Sequence, residues 1–154
     1  MMGTWSNKPF GNDTALDWLA GLEDSGQGEQ IIVDSLNAVV PVSEIVADIA
    51  EEAIVAAAIV AAASVPKVSG IDQDAKAWIT KAAFSPNREV KQLALEALVK
   101  IVSDSELKTL WQEGGGLNGW LKEVEKISSK LSHYLDDEPP ARVQKKQALA
   151  LLPS

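Results

Sequence analysis

The chain has 154 residues, of which 46% are hydrophobic and 23% charged, the size and composition of one ordinary globular domain, which excludes wholesale disorder. It has no cysteine and a single histidine, His133, which removes disulfides, thiolate metal sites and a cysteine nucleophile and weakens any histidine-based chemistry. The net charge of −8 argues against a binder of nucleic-acid phosphates.

The opening stretch, residues 1–11, reads as irregular, with no cationic run followed by an apolar one and hence no signal peptide. Asn12 or Asp13 is a suitable N-cap for a first helix reaching Glu23, with Ala15, Trp18, Leu19 and Leu22 forming one apolar stripe. Gly26 and Gly28 precede a second helix over 29–40, which Pro41 ends because the residue before a proline is pushed out of the helical region. Ser43 and Glu44 then predict a long helix to Ser64. From Ala53 to Ala63 it reads AIVAAAIVAAA, apolar on every side, and such a helix is buried on every side. At eleven residues this run is too short for a membrane span, which needs about 20.

Residues 66–74 read as a loop, 72–84 as a helix stopped by Ser85-Pro86, and Asn87 as the cap of the next. That helix carries Val90, Leu93, Ala94, Ala97, Leu98 and Ile101 on one side and Leu95, Val99 and Val102 on another, predicting packing on two fronts. Ser103 or Ser105 opens a short helix through Trp111. Gly114-Gly115-Gly116 is a connector, lacking the Lys-Ser/Thr of a phosphate loop. Leu117, Trp120, Leu121, Val124, Ile127 and Leu131 define a last amphipathic helix, with His133 on its surface. The expectation is an all-α, single-domain bundle of six or seven helices around a central Ala-rich helix, over residues 1–135, with a tail of 136–154 in which residues 142–152 form a short helix.

The charge is not evenly spread. Between Pro9 and Pro66 stand ten acidic residues and no basic one, whereas from Lys67 onward twelve acidic residues face thirteen basic ones. An acidic half of this kind either aids solubility or complements a basic partner and steers its approach.

Residues 3–18 read GTWSNKPFGNDTALDW. With the Ala-rich helix, the Leu-Ala-Leu-Glu-Ala-Leu stretch at 93–98 and Ser105-Glu106-Leu107 followed by Trp111, this pattern resembles an uncharacterised bacterial domain-of-unknown-function family. The resemblance covers roughly residues 3–135 and departs at Ser6 and Lys8, where glycines would be expected. It implies no assigned reaction and carries over no catalytic residue. Physically, Trp5 and Phe10 pack on the first helix beside Trp18, and Asn12 and Asp13 satisfy its first N–H groups. Asp13 and Asp17 share a face and repel mildly unless a partner or cation satisfies them.

These residues point to a non-catalytic, cytoplasmic protein-binding domain, of the immunity type that neutralises a bacterial toxin, with Asp13, Asp17, Asp34, Glu51 and Glu52 as contact residues. A basic protein partner is expected, and neither nucleic acid, membrane, metal nor cofactor. The alternative is a carboxylate-based, metal-dependent enzyme or small-ligand site within the bundle, drawing on Asp48, Glu51 and Glu52 facing Asp13 or Asp17.

Overall fold

Alanine is the strongest helix former, and an Ala-rich helix lets its neighbours approach closely because little side chain separates them. In a computed structural model, which describes residue 11, residues 13–64 and residues 73–136, this is how the chain is organised. Among the described residues seven helices and no strand follow one another: α1 (Asp13–Asp24), α2 (Gly28–Asn37), α3 (Ala47–Ala63), α4 (Gln73–Ala82), α5 (Arg88–Ser103), α6 (Glu106–Glu113) and α7 (Leu117–Asp136). The Ala-rich α3 lies at the centre and touches all six others. Every residue from Ala53 to Ala62 is buried. Ile54, Val55, Ile59 and Val60 supply the bulk between the alanines, each worth about 1.5–3 kcal/mol of apolar burial. The all-α bundle around a central Ala-rich helix is therefore the architecture.

The helix ends differ from the sequence pattern for reasons both near and far along the chain. The second helix stops at Asn37, three residues early, because residues 38–41 tighten into a turn ahead of Pro41. The ammonium of Lys100 donates to the carbonyls of Val40 (2.6 Å) and Val42 (2.5 Å), which are left without helical partners. The third helix starts at Ala47 rather than Ser43. Its first N–H donates to Oε1 of Glu106 (2.7 Å), while the Glu106 N–H donates to the Ile45 carbonyl (2.9 Å), a cap supplied from far along the chain. The fourth helix, Gln73–Ala82, ends at Ala82 instead of Phe84. Ala83 takes the left-handed conformation (φ 52°), and the Phe84 N–H returns to the Ile79 carbonyl.

Elsewhere the local signals act as read. Asn87 caps α5 by accepting from the Val90 N–H (2.9 Å), and Ser105 caps α6 by accepting from the Lys108 N–H (3.0 Å). The triple glycine closes α6 by pairing the Gly115 N–H with Gln112 and the Gly116 N–H with Trp111, with Gly115 at φ 84°. The packing of α5 on two fronts is present, since it lies against both α3 and α7. Ala94, Ala97, Leu98 and Ile101 are buried, Leu95 and Val102 are half-buried against the core, and of the second side only Val99 is exposed, at 55%. Trp5, Phe10, Asn12 and the expected helix at 142–152 lie outside the described residues.

Candidate functional site

α1 and α2 each bury one side against the core, and α3 is buried all round beyond its first turn and a half, which leaves most of the acids of this stretch exposed. Asp13, Asp17, Glu23, Asp24, Glu29, Asp34, Glu44 and Asp48 are exposed, eight of the ten acids between Pro9 and Pro66. No basic residue is present in α1, α2 or α3 to balance them. Asp34 accepts from the Gln30 amide one turn earlier (2.8 Å). Trp18 is half-buried and donates its indole N–H to the Ser35 hydroxyl (2.8 Å), tying α1 to α2.

The five carboxylates singled out in the sequence therefore divide. Asp13, Asp17 and Asp34 are on the surface, Glu52 is half-buried and Glu51 is buried. Glu51 is on the side of α3 that faces α1, where the Thr14 hydroxyl donates to its carboxylate. Burial pushes its pKa up from 4.5 to about 6; the Thr14 hydrogen bond opposes this, and the nearby charge of Asp48 adds to it. Glu52 is raised too, by burial first and by Asp48 second. A carboxyl that titrates near neutrality suits acid–base work, yet Glu51 lines neither of the two depressions described next. Among the described residues, no group of three or more His, Asp or Glu side chains is arranged to hold a metal ion.

Two of the depressions in the surface of the described residues have well-defined linings. A polar one of about 370 Å³ lies where the start of α3 meets α6, with the capping carboxylate of Glu106 in its wall beside Ser43 and Thr109. A larger, mostly apolar groove of about 590 Å³ runs along the outer face of α5, from Arg88 past Leu95, Glu96 and Val99 to Lys100, closed on one side by Leu135. Sequence pattern missed this groove because it placed Val99 inside. The only available signal was the lack of an obvious helix to cover it.

Two of the four described tryptophans are core: Trp120 is buried, and Trp78 is buried against Phe84, ring centroids 5.4 Å apart. Trp18 and Trp111 are half-buried. No helix among the described residues is long and apolar enough to cross a membrane. A family model, that of a domain of unknown function (DUF4259), matches residues 3–123, from the opening glycine into α7. No curated protein matches the chain, and no solved structure matches it.

Proposed function

The chain belongs to the DUF4259 family, and from that premise we propose that it is a non-catalytic protein-binding domain that seats the acidic surface of α1–α3 on a basic partner. The observation that carries this reading is the exposure of eight carboxylates on a contiguous stretch of sequence without one basic residue. A single-sign surface of that kind raises association rates and rejects acidic partners, and it does so without a cavity or a nucleophile. Within that class the reading extends to a bacterial, cytoplasmic immunity protein, whose acidic surface occludes the working surface of a cognate toxin. Asp13, Asp17 and Asp34 make direct contacts in this account. Glu51 sits behind the surface, and Glu52 at its edge.

The test is affinity capture from the native host at low and high salt, using the wild type and an Asp17→Lys/Asp34→Lys variant. Asp13 is left in place because a carboxylate in the first turn favours the helix dipole. One stoichiometric basic protein, held at low salt, released at high salt and lost with the variant, is the expected result. Capture that ignores both salt and charge reversal, or no partner at either salt, overturns the proposal. Circular dichroism of the variant confirms that its helices are intact.

A further inference from the structure

Of the five asparagines in the chain, Asn118 alone is followed by a glycine. It stands in the first turn of α7, just after the triple glycine that closes α6, and its side chain is exposed. The first N–H groups of a helix have no carbonyl one turn back within it to donate to. The Trp120 N–H reaches the Gly116 carbonyl (3.1 Å), but the Gly119 N–H, one residue earlier, makes no hydrogen bond among the described residues. The Asn118 carboxamide makes none either, in contrast to that of Asn87, which is held by the Val90 N–H (2.9 Å).

These two unheld groups are covalent neighbours with a reaction open to them. The Gly119 amide nitrogen, on losing its proton to hydroxide, attacks Cγ of Asn118 and closes a five-membered succinimide ring. The bond from Cγ to the side-chain nitrogen breaks, and that nitrogen leaves as ammonia. Water then opens the ring. Cleavage of the new N–Cγ bond gives aspartate; cleavage between the nitrogen and the main-chain carbonyl carbon gives isoaspartate, with the chain running through Cγ. A helical ψ of about −42° holds the nitrogen and Cγ out of line, so the ring closes only when the first turn opens. Glycine at 119 eases that opening, because it has no Cβ and takes backbone angles closed to other residues. Trp120 is buried at once afterwards, so the rest of α7 keeps its place while residues 117–119 open. No acidic residue stands in the first turn of α7, so an aspartate there gains from the helix dipole and re-forms the turn. We propose that Asn118 is a self-modification site, at which the folded chain loses ammonia through a succinimide with Gly119 and gains one negative charge beyond its −8.

The test ages the full chain for weeks in mildly alkaline buffer, then digests it with trypsin beside an unaged sample. Cleavage after Lys108 and Lys122 releases residues 109–122, in which fragment masses separate Asn118 from Gln112. The expected result is the mass gain of an amide turned to an acid at residue 118, as a mixture of aspartate and isoaspartate, faster at higher pH. Gly119→Ala should slow it at least about twofold to fivefold, the ratio set by the helix penalty of glycine alone. Asn118→Ala, at an exposed position, should abolish the gain and the ammonia released with it. An unchanged Asn118, or a gain no faster than at Asn37 and Asn87, overturns the proposal. So does a product that is aspartate alone, because a ring opens on both sides, and a gain equally large in the unaged sample.

Discussion

Replacing Glu51 by Gln should stabilise the protein at neutral pH and leave its stability in acid almost unchanged. In the folded chain the Glu51 carboxyl titrates near about 6, against 4.5 for an unperturbed one, so the native state holds this proton more tightly than the unfolded state does. The stabilisation from the protonated group is complete below pH 4.5 and is lost as pH rises through about 6. That difference in pKa corresponds to about 2 kcal/mol by pH 7.5. Gln keeps the shape and an oxygen that accepts from Thr14, but carries no charge to be desolvated. The gain on substitution at pH 7.5, minus the gain at pH 4, should therefore be about 2 kcal/mol, or roughly 4–8 °C in Tm for a chain of this size. Urea titrations of both proteins at the two pH values measure it. Comparing two proteins at each pH cancels the titration of carboxylates far from the site. A gain or loss that is the same at both pH values would refute the account of Glu51 as a charge held in a desolvated place.

Substitutions at three further positions test the packing, the helix propensity of α1 and the long-range cap. A Cβ at Gly28 would sit 2.3 Å from Trp78 Cζ2 and 2.9 Å from Cε2, so Gly28→Ala should cost about 1–3 kcal/mol and shift the tryptophan emission despite the better helix propensity. Gly21→Ala, where a Cβ meets nothing within 4 Å, should instead stabilise α1 by up to about 1 kcal/mol in the same thermal melts. Glu106→Ala removes the acceptor for the Ala47 N–H and should lower the urea midpoint by the equivalent of about 1 kcal/mol, with Glu106→Gln recovering most of it.

How much of this was legible in the chain depends on how far apart the causes lie. The interior of α3 was readable because AIVAAAIVAAA leaves no polar side, and Asn87 and Ser105 were readable as caps because a cap acts within three residues. The start of α3 was not, since its first N–H is met by Glu106, separated by 59 positions in sequence. Nor was the early end of α4, where Ala83 adopts a conformation more often given to glycine. The exposure of Val99 was not legible for a related reason: periodicity reports which side of a helix is apolar but not whether a neighbour covers it. At the candidate site the run of acids without a basic residue is plain in the chain, and eight of its ten acids are exposed. The pattern could not separate Glu51 from Glu52, adjacent residues that the turn of one helix directs to different surroundings.

The position of α3 has a consequence for how the molecule comes apart. Every other helix leans on this one rod of small side chains, and α4 and α6 have short buried faces of their own. A bundle assembled from paired hairpins can release one pair and keep the rest; in a bundle threaded on a central rod, withdrawing the rod strips all six other helices of a shared buried face, although α5 still touches α2, α6 and α7. Amide protons in residues 53–62 should thus escape to solvent only when the whole chain unfolds, and the energy needed to free them is the stability of the entire domain.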